Sequence, residues 1–512
     1  MHSRPAVGAF LASWLCVAAP AQAEEVPAPD TAPVDAPAAH DAPTPRVALA
    51  RLGPPSDGAK YGRAALEAAG VLTIGVAQYW IAASSNHRDW DFPRWSERFD
   101  QANIRFDNNT HVTNNLLHPL AGGAYYGLAR ANGLGVGESV LYAQVASAVW
   151  EWGLEWREKV SINDMVTTTA AGTAAGEFLV QLAAYLNSAP DGGGALQSAA
   201  ASTLGFPVWI HEKLDERSAD PTPQKDRLGF SSAYHHRFTL DLQSAWLDDA
   251  AERTEQLRGV RLGAQLASLR GFLEPQSFST YFARGNFSEA SLDLQFTGAG
   301  LSSADVAFDA VLAGYYAQWS TPRVTGVIVG LGTGLEFVER NALDRRDQYA
   351  LAHFAGPSLV LFQKGSSFSW TLASRLYGDF APIRSLAWPR VKAAAPGATY
   401  KSSLEGEYQY NLGGSLRSYA ELRFHALLLS VEHMLGRYAS IEGLDRFQEQ
   451  ITRDLEGSEH LDERKLTLAI EPPGALVRAY AGVERSSHVS ELGGVRSGRL
   501  ERRFVTGVGL AF

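Results

Sequence analysis

From residue 236 to residue 512 the sequence alternates apolar and polar side chains with a period of two, segment after segment. In the first segment Phe238, Leu240, Leu242 and Trp246 fall on one face, and Arg237, Thr239, Asp241 and Gln243 on the other. Successive side chains of a β-strand point to opposite faces, so this period predicts strands. The pattern returns at Val260, Leu262, Ala264 and Leu266, at Leu292, Leu294 and Phe296, and at Phe368, Trp370, Leu372 and Leu376. It continues at Leu404, Tyr408, Tyr410 and Leu412, at Leu416, Ala420, Leu422 and Phe424, and at Leu466, Leu468 and Ile470. A dry two-sheet sandwich buries one face and wets the other, and it has no place for charges accumulating on the inward faces. An apolar outside around a charged inside is the pattern of a wall between lipid and a wet lumen. The expectation is α + β-barrel: an antiparallel transmembrane barrel over residues 228–512. At ~10 residues per strand plus loops this length gives roughly 10 to 14 strands, and with even numbers preferred, about twelve. Residues 384–397 and 443–464 read as long loops.

The N-terminus places the chain in an export pathway. Arg4, an apolar run over residues 6–19 and Ala21-Gln22-Ala23 make a secretory signal peptide, residues 1–23, cut after Ala23. Its apolar core is too short to hold a bilayer. The single cysteine, Cys16, lies inside that segment behind a bulky Leu15, which argues against lipidation. The mature chain then has no disulfide, thiolate metal site or cysteine nucleophile. Residues 24–60, rich in Pro, Ala and Asp, read as a disordered linker. The formal net charge of -10 argues against a nucleic-acid partner. A mean hydropathy of -0.13 is too polar for a bundle of membrane helices, whereas a barrel hides its apolar half in such an average.

Residues 61–220 carry helical periods instead, at 64–83, 121–131, 138–158 and 164–186, with Ser161 or Asn163 capping the last. Residues 191–194 and 221–227 read as joints. The 64–83 segment is long enough to cross a bilayer. A helix that apolar would be expected to detain the chain at the inner membrane, so a compact helical domain in the periplasm, or one partly inside the barrel mouth, is expected.

The chain ends LERRFVTGVGLAF, with Phe504, Thr506, Val508, Leu510 and Phe512 on one row. This resembles the C-terminal strand of outer-membrane β-barrel proteins, whose final aromatic is read by the barrel-assembly machinery. The resemblance implies a Gram-negative outer-membrane location, with outer-membrane lipid and that machinery as partners. Phe504, Val508, Leu510 and Phe512 would be the assembly signal.

Residues 114–177 contain His118-Pro119, Gly123, Tyr125, Tyr126, Arg130, Ser147, Trp150, Glu151, Glu155, Ser161, Asn163, Asp164, Gly176 and Glu177. This pattern resembles a family of uncharacterised bacterial envelope proteins known as a domain of unknown function, and it implies no activity. Glu151 and Glu155 are one helical turn apart and share a face. With His118 and Asp164 they are candidate catalytic residues, able to act as general acid and base, while Arg130 and Tyr126 are candidate ligand contacts. The plainer reading is a buried network in which Arg130 neutralises Glu151 or Glu155. The motifs of metallohydrolases, serine hydrolases and phosphate loops are absent, so no metal and no cofactor is expected. Trp150, Trp152 and Trp156 suit a core or a membrane-interface anchor, and Gly172 and Gly176 suit close helix packing. The functional expectation is a non-enzymatic outer-membrane barrel in transport or envelope organisation, with helices facing the periplasm or lumen. The rival is a membrane-bound hydrolase or transferase acting on lipid, lipopolysaccharide or glycan.

Overall fold

The computed structural model describes residues 58–82, 93–107, 109–190, 193–215, 224–249, 253–269, 271–320, 322–405, 407–441, 452–453 and 455–512. The expected signal peptide lies outside the described residues, as do most of the linker and parts of both joints.

The alternating half forms twelve long strands: β1 (His235–Asp249), β2 (Thr254–Ala267), β3 (Phe287–Thr297), β4 (Gly300–Ser320), β5 (Val324–Ala342) and β6 (Arg345–Lys364), then β7 (Phe368–Ile383), β8 (Gln409–Phe424), β9 (Leu427–Ser440), β10 (Gly457–Ile470), β11 (Val477–Leu492) and β12 (Val495–Ala511). Each pairs antiparallel with its neighbour in sequence, and β12 returns to β1 with Phe504 opposite Trp246 and Ala511 opposite Thr239. The sheet therefore has no free edge around its ring. A short strand, Phe278–Phe282, extends the wall by pairing with β4 beyond the end of β3. We call the end holding the start of β1 and the end of β12 the near end. The loop between β7 and β8 lies at the far end.

The register separates inside from outside. Arg237 of β1 reaches Glu421 of β8, and Arg340 of β5 reaches Glu463 of β10, so these rows meet across the interior. The alternate row carries Leu242, Trp246, Leu376, Leu468, Val483, Phe504 and Val508, all exposed. This is the arrangement expected of a wall between hydrocarbon and a polar interior.

The helices are α1 (Tyr61–Ala82), α2 (His118–Ala131), α3 (Val136–Val149), α4 (Ile162–Leu186), α5 (Ala195–Thr203) and α6 (Phe206–Leu214). Of the two placements expected, in the periplasm or partly inside the barrel mouth, the second does not hold for α4, which packs on the outer wall. Phe178, Val180, Ala184 and Tyr185 of α4 pack with Phe238, Ala264, Ala290 and Phe308. Ala170 and Ala171 pack with Leu335, Ala352 and Phe380. Every one of those barrel residues lies on the outward row. The physical reason is complementarity: the interior is charged and crowded, whereas the outer wall offers the apolar surface that a helix of Ala, Gly and Leu can bury against. α4 thus runs down the outside of the wall, from the far end to the near end.

Two loop expectations are revised. Residues 457–464 belong to β10, and the 384–397 segment contains a helix, α7 (Trp388–Ala394), whose Trp388 and Val391 pack with Tyr400 and Leu492.

Candidate functional site

The candidate residues of the helical unit fall into two separate polar clusters, one at each end. The far-end cluster is built where three elements terminate. A π-turn, Thr113–Leu117, leads into α2, whose Pro119 occupies the first turn where no N–H bond is needed. α3 ends in a second π-turn, Trp150–Leu154. α4 begins at Ser161, whose Oγ accepts from the Asp164 N–H at 3.3 Å as its cap.

Asn163 is the hub of this cluster. Its Nδ2 donates to Asp107 Oδ1 and Asp164 Oδ1, each at 2.8 Å, and its Oδ1 accepts from the Asp107 N–H at 2.8 Å. Asn114 donates to Asp107 and, at 3.1 and 3.2 Å, to the hydroxyls of Tyr408 and Tyr410 on the barrel. His118 Nε2 stands 3.8 Å from Asp164 Oδ2. Glu151 Oε2 accepts from the Ser161 N–H at 2.9 Å. Glu151 is 1% exposed. Burial pushes its carboxyl well above the usual range, and the neighbouring Glu155 and Asp164 push the same way.

A buried cation of this end is Arg98, which the sequence reading did not single out. It is fully buried and donates to the carbonyls of Trp152 (2.9 Å), Trp156 (2.9 Å), Glu158 (2.8 Å) and Glu155 (3.3 Å), and to that of Glu151. Its work is to collect the orphan carbonyls left where α3 ends. Among the described residues, no group of three or more His, Cys, Asp and Glu is placed to hold a metal ion.

Arg130 and Tyr126 lie in the other cluster, not with Glu151 and Glu155. Arg130 Nε is 3.0 Å from Glu177 Oε2, and the Tyr126 hydroxyl donates to the same oxygen. Gln181 Nε2 donates to Glu177 Oε1 at 2.8 Å and to the Arg284 carbonyl at 2.9 Å. Arg130 also donates to the carbonyls of Leu134 (2.8 Å) and Arg284 (3.1 Å). The pair is buried and clamps helix to barrel. Gly285, with φ +61°, closes against the Glu177 carboxyl where no side chain would fit.

A third network, invisible to motif reading, fills the lumen. Arg261 of β2 meets Asp293 of β3 at 2.6 Å and Glu484 of β11 at 2.8 Å. Arg340 meets Asp305 of β4 at 2.8 Å and Glu463 at 2.7 Å. Arg417 of β8 meets Asp309 of β4 at 2.9 Å, and His488 of β11 stands 2.9 Å from both Asp347 of β6 and Glu459 of β10. Strands far apart in the ring are tied across its interior.

The expected assembly-signal residues sit on the closing strand. Phe504 and Val508 are exposed on the outer row, Leu510 shares that row, and the Phe512 N–H donates to the Phe238 carbonyl at 2.9 Å.

Three comparisons bear on this architecture. Among curated proteins none matches the sequence. Among solved structures, the chain resembles the NanC porin (11% identity, 53% of this chain and 98% of that one, TM-score 0.24). It also resembles the translocator domain of the autotransporter NalP from Neisseria meningitidis (10%, 54% and 88%, TM-score 0.19) and OprD from Pseudomonas aeruginosa (9%, 54% and 95%, TM-score 0.18). Scores this low leave the barrel assignment resting on the strand pairing itself. The family comparison falls on the helices: residues 103–206, the segment that builds the far-end cluster and α2 to α4, match the family described as Domain of unknown function (DUF3943).

Proposed function

We propose that this chain is an outer-membrane protein of envelope organisation whose barrel is a closed wall rather than a conduit. The observation that carries the reading is the set of ion pairs across the lumen, above all Arg340 with Glu463 and Arg261 with Glu484. A pore for polar solutes keeps its charged rows apart and wet, and in this barrel they meet. The exposed apolar row on the outer wall supports residence in lipid. A transport role would require these pairs to open. The hydrolase or transferase reading has less support, because Glu151 and Asp164 are both buried.

Planar-bilayer recording tests this. The wild-type protein is expected to give no stable stepwise conductance. The double variant Arg261→Ala/Glu463→Gln, still heat-modifiable in detergent gels, is expected to show openings. Stable porin-like steps from the wild type would overturn the proposal.

The barrel-assembly machinery is proposed as the partner of β12. Deleting Phe512 removes the backbone pair with Phe238 and the end of the outer aromatic row. The expected result is a severalfold fall in outer-membrane level by immunoblot, against little change for Ala511→Ser. Equal levels for the deletion and wild type would contradict it.

A further inference from the structure

We infer that the helical unit shares the bilayer with the barrel: α1 to α4 stand beside its outer wall, and the exposed faces of α1 and α3 contact lipid hydrocarbon. The inference rests on the membrane location proposed above and adds to it what surrounds the helices.

Length comes first. α1 has 22 residues and α4 has 25, which at 1.5 Å per residue is about 33 and 37 Å, enough to cross a hydrocarbon core of ~30 Å. Both run between the two ends of the barrel. α1 begins at the near end, where the Lys60 N–H donates to the Asn132 carbonyl at 3.0 Å. It reaches the far end, where Gly75 and Tyr79 meet Trp150.

Charge comes second. Between the two ends, residues 68–81 of α1 and 139–149 of α3 carry no Asp, Glu, Lys or Arg. In residues 118–131 and 165–186 the only such side chains are Arg130 and Glu177, which are buried and paired with each other. The large apolar side chains that these helices turn outward include Leu66, Ile74 and Ile81 on α1, and Leu141, Val145 and Val149 on α3. The last three are spaced by four, one stripe of a helix. In water such a surface would be an unpartnered apolar patch. The helix between it and the barrel, α4, is packed against the apolar outer row of the wall.

The ends come third. At the far end Trp95 stacks on Trp156 and Phe99 on Trp152, with ring centroids 5.0 and 4.7 Å apart. At the near end Tyr61 donates to Glu138 at 2.6 Å and Tyr142 to the Tyr61 carbonyl at 2.9 Å. Aromatic side chains with one wet edge gather at membrane interfaces.

The internal packing is of the membrane kind. α2 and α4 touch through backbone: a Cβ on Gly172 would lie 2.9 Å from Gly122 Cα, and one on Gly176 would lie 2.8 Å from the Gly123 carbonyl oxygen. Two hydroxyls of α4 bond back within the helix, Thr167 to the Asn163 carbonyl at 2.9 Å and Thr173 to the Thr169 carbonyl at 2.7 Å. The same composition answers the objection that apolar helices stop export. The best window of α1 reaches a mean hydropathy of only 1.3, and α4 is diluted by four threonines and two glycines over residues 167–176. Each helix alone is a marginal membrane segment. Packed together on the wall, they complete one apolar belt.

The test uses the absence of cysteine from the chain beyond Cys16. Single variants Ile74→Cys, Leu141→Cys and Val145→Cys are placed in phospholipid nanodiscs, where both faces meet solvent, and reacted with a charged maleimide. Leu242→Cys and Val483→Cys report the barrel's outer row, and Gln101→Cys and Glu274→Cys report solvent. The helical positions are expected to react about tenfold more slowly than the solvent pair, as do the barrel positions, because hydrocarbon excludes the charged reagent. Fast reaction at the helical positions with slow reaction at Leu242→Cys and Val483→Cys would overturn this inference and leave the membrane barrel standing. Fast reaction at both sets would overturn the membrane location itself.

Discussion

Replacing Gly122 by valine is expected to undo the packing of α2 on α4 while leaving the barrel closed. A Cβ at Gly122 runs into the backbone carbonyl of Thr168, and across the interface Gly172 and Gly176 leave no slack, since their own Cβ positions are filled by the backbone of α2. A flexible side chain can turn aside from an added methyl group, but a helix backbone cannot. The helices must part along their length. Overpacking of a core costs about 1–3 kcal/mol, and an obstruction met by backbone on both sides belongs at or above the top of that range. Protease sensitivity of the α2–α4 segment should rise sharply, and its helical circular dichroism should melt at a lower temperature. The gel shift of the barrel should not change. Gly137→Ala is the control, because nothing lies within 4 Å of the added atom. A Gly122→Val protein as protease-resistant as the control would show that the helices are not held by this contact.

The second large effect belongs to Arg130 and Glu177, whose side chains are 1% and 0% exposed. Arg130→Met leaves the Glu177 carboxylate buried with only Tyr126 and Gln181 as donors. Removing one partner of a buried pair costs about 3–5 kcal/mol, mostly because the other charge is left uncompensated. Replacing both by apolar residues of similar volume is often neutral. Arg130→Met is therefore expected to lower the melting temperature of the helical unit markedly, and Arg130→Met/Glu177→Leu to recover most of the loss. The recovery is what separates a structural clamp from a binding site. A double variant no more stable than the single one would mean that Glu177 is needed for something other than balancing Arg130.

The partner of Arg130 was half legible in the sequence. The one-turn spacing of Glu151 and Glu155 says only that they share a face, and it does not say which arginine meets them. Yet His118 and Arg130 are 12 residues apart on one helix, about 18 Å along its axis. A cluster holding His118 and Asp164 at one end cannot also hold Arg130. Because α2 and α4 run the same way, the residue opposite Arg130 lies on α4 about as far beyond Asp164 as Arg130 lies beyond His118, and that residue is Glu177. What the sequence could not provide was Arg98, whose five acceptors are backbone carbonyls brought to it by the turn after α3.

The same division holds for the barrel. Strands whose outer row faces lipid, such as β1, β8 and β10, declare themselves by alternation, because one face must be apolar and the other polar. β4 to β6, residues 300–364, do not stand out. Residues 332–338 of β5 are buried on both faces, with α4 outside and the lumen network inside, so their period of two fades into a nearly continuous buried run. By itself the sequence determined a barrel of roughly 10 to 14 strands with its charges placed inward, because side-chain alternation is a local property of the chain. The tertiary structure alone decided that those charges meet across the lumen and that the helices stand outside the wall. Both depend on which surfaces, distant in sequence, are brought within reach of one another, and no periodicity along one segment records that.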